Sequence, residues 1–345
     1  MNNPFSLTFG KEPTQMIARY SKNTEIISTF LSETPNQQVY MITGVRGSGK
    51  TVFMSSLANQ MRNRDDWVVV ELNSSGELLK ELVAKLYNTK GLSRVFEAEG
   101  INLSFWGIGV NIKKAEPITD LETAAERMME KLQKNGKKLL ITIDEVTNTK
   151  EMKYFAGSYQ IFIRHNLPVF LLMTGLYENI NKLQNEDNLT FLYRAPKIYL
   201  EALSIFRIAD SYEAVLNFSH DEAVELSKMT KGYPFAYQVI GYFAFEFRCD
   251  LKKALPEARQ YLDEYVYDKV WSELSAKEVE ILSAMAESEI KDVNGIKQHL
   301  NLKPNEFSVY RDRLIKKGIV EGSRRGWLEF TLPFFDEYIK EHTLS

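Results

Sequence analysis

Gly44 to Thr51 read GVRGSGKT, a G-x-x-x-x-G-K-[ST] run that directly follows an apolar stretch and precedes an amphipathic one. Every position in it can serve phosphate. Glycines at 44, 47 and 49 let the backbone of Val45, Arg46 and Ser48 fold its amides around anionic oxygens, and the helix start that follows adds positive potential. Lys50 reaches terminal phosphates, and the Thr51 hydroxyl is a ligand for Mg²⁺. A dinucleotide-binding glycine motif is excluded, because Arg46 stands where its second glycine belongs.

Such a loop needs a metal partner and a residue that polarises water. The run LLITIDEV supplies both at the end of an apolar stretch: Asp144 for the Mg²⁺ shell and Glu145 to orient the attacking water. Thr174 closes the later run VFLLMT, either as a contact to the terminal phosphate or its water, or as a hydrogen-bonded turn residue. Arg194, in FLYRAPKI, is placed to neutralise charge on a phosphoryl group being transferred. Near the C-terminus, Lys303, Arg311, Arg313, Lys316, Lys317, Arg324 and Arg325 outnumber Glu306, Asp312 and Glu321. Arg324 and Arg325 suit contacts to a duplex DNA backbone, while Ser308 and Arg311 can point from a helix into a groove. Residues 275–345 as a whole are balanced or slightly acidic, so a protein-contact or autoinhibitory module is the alternative.

These residues must be carried by strands and helices of suitable order. Gln38–Thr43, Trp67–Leu72, Lys138–Ile143, Val169–Thr174 and Lys197–Leu203 are short β-branched runs, several apolar almost throughout, as strands buried on both faces are. Amphipathic stretches separate them; in Val52–Arg62 the residues Phe53, Met54, Leu57 and Met61 share one face. Ile101–Ile112, INLSFWGIGVNI, alternates around Trp106 and Gly107 and predicts an inserted β-hairpin. From Ile205 helices take over. Ser219 with Glu222 forms a capping box, Gly232 ends that helix, and Pro234 starts the next. A second box, Ser275 with Glu278, opens three helices followed by the short runs IVEG and WLEF around SRRG, the pattern of a winged helix. The expected fold is therefore α/β: a parallel sheet with a phosphate-binding loop in 1–204, a helical lid in 205–271 and a winged helix in 272–345. The aromatic run Tyr233–Phe247 is read as the core of the lid.

At 345 residues, 44% hydrophobic and 26% charged, the chain is long enough for several cores and too ordinary in composition for disorder. A single cysteine, Cys249, and scattered histidines exclude a disulfide scaffold and a structural zinc site. The N-terminus has no basic segment leading into an apolar run, and the longest apolar stretch is broken by Gln238, Gly241 and Glu246; a cytoplasmic chain with no membrane partner is expected. A net charge of -3 speaks against nucleic acid coating the whole surface and leaves a local basic face open.

GVRGSGKT, LLITIDEV, LLMTGLYE, FLYRAPKI and KGYPFAYQ, in that order and ahead of a winged helix, resemble the archaeal-type AAA+ ATPases of the STAND group, relatives of origin-recognition ATPases. The resemblance implies ATP and Mg²⁺ as ligands, slow hydrolysis to ADP and phosphate, and a nucleotide-dependent homo-oligomer. It implies Lys50 and Thr51 as Walker A, Asp144 and Glu145 as Walker B, Thr174 as sensor 1, Arg194 as arginine finger, and Gly232 with Pro234 as the lid's nucleotide-sensing element. The N-terminal box departs from the family pattern: Ile17, Ala18 and Arg19 are followed by YSKN. A signalling or scaffold ATPase whose winged helix meets protein is the second function the resemblance allows.

Overall fold

The computed structural model describes every residue except 1, 9, 11, 110, 111, 113, 114, 188, 288–291 and 344–345. Five strands form one sheet: β1 Val39–Thr43, β2 Trp67–Asn73, β3 Lys138–Asp144, β4 Val169–Gly175 and β5 Lys197–Tyr199. All neighbours are parallel, in the order β2-β3-β4-β1-β5. Parallel neighbours need crossovers, and helices such as Leu121–Lys134 and Lys150–Arg164 provide them. β1 and β4 are buried at every position, because helices pack on both faces of the sheet. Phe30, Trp67 and Phe170 cluster together, with Phe170 centred 4.8 Å from Phe30 and 4.9 Å from Trp67.

Two expectations are corrected. β5 ends at Tyr199 instead of Leu203, since its partner β1 ends at Thr43, paired with Tyr199, and gives way to the glycine loop. Ile101–Ile112 contains no strand among its described residues; Ser104–Trp106 form a 3-10 turn closed by Gly107 at φ 69°, while positions 110 and 111 lie outside the described residues. Ile101, Asn102 and Leu103 are buried in succession and Phe105 is exposed, so burial here does not alternate as a strand's would. Their backbone is served differently. Asn102, fully buried, donates its side-chain amide to Ala115 O at 2.7 Å, its carbonyl accepts from Ile118 N at 2.9 Å, and Trp106 Nε1 donates to Ile118 O at 3.1 Å.

By contacts the chain divides into two compact units, one of Tyr20–Thr43 and Thr51–Tyr199, the other of Met1–Arg19, Gly44–Lys50 and Leu200–Ser345. This grouping differs from a division by chain order, because the glycine loop goes with the helical region. The sheet belongs wholly to the former. In the latter, the capping box of Ser219 and Glu222 starts His220–Met229, and Pro234 occupies the first turn of Pro234–Glu246. Phe235, Tyr237, Val239 and Ile240 are buried, as a lid core requires. Phe5 lies edge-on to Tyr212 and Tyr237, at 5.8 and 5.7 Å, over Gly241. Farther on, Ser275 and Glu278 cap Ala276–Glu287, and Glu278 takes Lys317 as its partner at 2.9 Å. Val293–His299, Pro304–Lys317 and an antiparallel ribbon of β6 Val320–Glu321 and β7 Glu329–Phe330 follow, then the helix Phe335–Thr343. No described helix is long and apolar enough to cross a membrane.

Candidate nucleotide site

β1 delivers the chain to Gly44, and the helix Lys50–Arg62 carries it away. Between them, Gly47 and Gly49 sit at φ 71° and 82°, a region that side chains rarely adopt. Space enforces the choice at Gly47, where a β-carbon would lie 2.1 Å from the Tyr233 hydroxyl. Lys50, 9% exposed, donates Nζ to Gly44 O and Val45 O, both at 3.0 Å, so the ammonium is held at the mouth of the loop. The Ser48 hydroxyl is buried and has no partner among the described residues, although a buried polar atom ordinarily has one. Glycines that admit no side chain and an orphaned hydroxyl fit a loop shaped around a polyanion.

The same unit walls this loop. Arg19 Nη2 donates to Ser48 O at 3.2 Å and to Glu201 O at 2.8 Å; burial pulls its pKa down to about 10 against the raising effect of Glu201, leaving it charged at neutral pH. Tyr233, buried, donates its hydroxyl to Arg46 O at 2.5 Å, and burial raises its pKa far above the usual phenol value, so it stays a donor. Arg46 pairs its guanidinium with Glu273 Oε1, at 3.1 Å from Nε and 2.6 Å from Nη2. A cavity of about 1240 Å³ opens beside the loop, lined by Arg19, Val45, Ser48, Pro234, Lys231 and Phe330 among others. It contains Pro234, the lid residue singled out in the sequence.

In the sheet unit Asp144 meets Thr51 and Thr174. Pairing of Ile143 with Met173 sets the end of β3 beside Thr174. Asp144 Oδ2 accepts from Thr51 Oγ1 at 2.8 Å, and its Oδ1 accepts from the Thr174 hydroxyl. The Glu145 amide donates to Asp144 Oδ1 and to Thr174 Oγ1, both at 3.1 Å. Glu145 itself takes φ 51°, a left-handed conformation costly for a non-glycine residue, and its side chain is exposed. The backbone thus turns sharply where Asp144 ends the strand.

Arg194 stays outside this cluster. It caps the short helix Thr190–Tyr193, exposed beside a Tyr193 that is 73% exposed, and its guanidinium bonds to no described residue. At the C-terminal ribbon, Arg324 lies over the Trp327 ring at 4.3 Å and Arg325 is exposed, on a turn closed by Trp327 N to Arg324 O. Ser308 donates to Pro304 O at 2.8 Å, and Arg311 pairs with Asp312 at 3.2 Å. Sequence reasoning missed Tyr233 and Glu273 as neighbours of the glycine loop. Tyr233 sits between the two residues of the G-Y-P run that were read, whereas Glu273, 227 positions from Arg46, leaves no local signal.

Residues 23–192 match a family described as an ATPase domain predominantly from Archaea, and residues 264–339 match a domain of unknown function. No curated protein matches the chain. Among solved structures, a Walker-type ATPase of Pyrococcus abyssi is similar with a TM-score of 0.63 at 14% identity, covering 94% of this chain and 96% of its own. The ORC2 protein of Aeropyrum pernix, solved as ADPNP-ADP complexes, gives 0.57 at 15% identity over 98% of both chains. Its ADP form gives 0.52 at 14% identity, again over 98% of both. At these identities the similarity is one of fold.

Proposed function

From the match of residues 23–192 to the family of ATPase domains found predominantly in Archaea, we propose that the chain binds ATP with Mg²⁺ and hydrolyses it slowly to ADP and phosphate. One observation carries the reading: Asp144, at the end of a buried strand, accepts hydrogen bonds from both Thr51 and Thr174. Gly44–Lys50 would take the phosphates, and Thr51 with Asp144 would hold Mg²⁺. When bound, the metal supplies neutralising charge for the β and γ phosphates. Glu145 orients the attacking water, and Thr174 keeps the Asp144 carboxylate aimed through its hydroxyl. Slow turnover follows from the small number of groups available to stabilise the transferring phosphoryl group. Phosphate release by purified protein, with and without duplex DNA, tests the reading. Turnover that needs Mg²⁺ is expected, and failure to bind or cleave ATP under either condition would refute it.

Arg194 acts on a neighbouring copy. Its support is an exposed guanidinium with no partner among the described residues, beside an exposed tyrosine. Assembly should then follow nucleotide. Light scattering is expected to report a larger species with a non-hydrolysable ATP analogue than with ADP, and a monomer in both states at high micromolar concentration would remove the trans role.

The C-terminal segment, read as a winged helix, contacts duplex DNA. The support is its three helices and ribbon, with Arg324 and Arg325 exposed at the ribbon turn and Ser308 and Arg311 on the third helix. If Arg324 and Arg325 each neutralise a phosphate, replacing both by alanine lowers the slope of log affinity against log salt by about two units and weakens all sequences alike. Arg311→Ala should instead alter sequence preference. A parent chain with no salt-sensitive DNA binding in any nucleotide state would reassign this segment to protein contact, the signalling alternative.

A further inference from the structure

Besides the Arg19 hold on Ser48 O, the glycine loop is held from outside at Arg46 by two side chains. Arg46 offers its carbonyl to the Tyr233 hydroxyl at 2.5 Å and its guanidinium to Glu273 at 2.6 Å. Tyr233 is the N-cap of the lid helix Pro234–Glu246, and Glu273 is the C-cap of Asp268–Ser272, so both anchors come from ends of helices. A trans peptide is planar, and its carbonyl and following amide point in opposite directions. Holding Arg46 O therefore also fixes the direction of the Gly47 N–H, away from Tyr233. That amide donates to no described residue, unlike the Ser48 amide, which closes a turn to Val45 O at 3.2 Å. The Tyr233 ring meanwhile fills the space a side chain at position 47 would need.

We propose that Tyr233 is a positioning residue for phosphate binding: its hydroxyl orients the 46–47 peptide so that the Gly47 amide is presented to a nucleotide phosphate, linking the lid to the loop. The proposal rests on the reading of Gly44–Lys50 as a phosphate cradle. It differs from a lid that touches nucleotide directly, because the effect is routed through one backbone peptide.

Tyr233→Phe removes the hydroxyl and keeps the ring. Calorimetry with ADP, and displacement of ADP by pyrophosphate, should both show affinity falling by roughly three- to tenfold, the worth of one net hydrogen bond, while the thermal midpoint without nucleotide stays within a degree or two. Glu273→Gln should weaken ADP as well. The double variant should lose less than the product of the two single losses, since both anchors hold the same residue. Unchanged ADP affinity in Tyr233→Phe, a loss for ADP with none for pyrophosphate, or multiplicative losses in the double variant would each overturn the proposal. A parent chain that binds neither ADP nor pyrophosphate would instead defeat the cradle reading, and this inference with it.

Discussion

Lys50→Ala lowers affinity for ATP and ADP by at least about a hundredfold, a loss in the range of a truncated charge-assisted contact. The argument is local. Lys50 is nearly buried, and its ammonium is held by the Gly44 and Val45 carbonyls at the start of the loop. Alanine removes the positive charge that a polyphosphate needs there and takes the ammonium away from the Gly44 and Val45 carbonyls, of which Val45 O keeps the Ser48 amide. Binding by calorimetry checks the result, with the thermal midpoint of the free variant showing that the fold is intact. Parent-like nucleotide affinity in Lys50→Ala would mean that Gly44–Thr51 does not bind phosphate.

Glu145→Gln has a different signature: ATP affinity stays within a few-fold of the parent while turnover falls by about two to four orders of magnitude, the usual contribution of a positioned general base. Glutamine keeps the length of the side chain and is no worse suited to φ 51° than glutamate, so the strained turn after β3 persists. The amide bonds from Glu145 to Asp144 and Thr174 are backbone donors and also survive. Only the proton acceptor is lost. An equal loss of affinity and turnover would move Glu145 from catalysis to structure.

Much of this arrangement was legible in the sequence because it depends on neighbours in the chain. GVRGSGKT carries its own turn chemistry, and LLITIDEV announces a strand that ends in two acids. Capping boxes at Ser219 and Ser275 are equally local, their partners three residues away. Alternation was a weaker guide in Ile101–Ile112: Ile101, Asn102 and Leu103 are buried in succession, and Asn102 hydrogen-bonds the backbone around it in place of a neighbouring strand. The end of β5 depends on where β1 runs out, a tertiary fact. Tyr233 and Glu273 lie far from Arg46 in sequence and meet it only through folding.

The central claim is that Glu145 drives ATP hydrolysis in a chain whose glycine loop binds the nucleotide. Single-turnover phosphate release, with enzyme in excess over γ-labelled ATP, tests it most directly in parent, Lys50→Ala and Glu145→Gln proteins purified alike. With Mg²⁺ the parent should release phosphate to completion. Glu145→Gln should retain bound, uncleaved ATP, Lys50→Ala should retain none, and chelation of the metal should stop the parent. Equal phosphate release from the parent and either variant would contradict the claim.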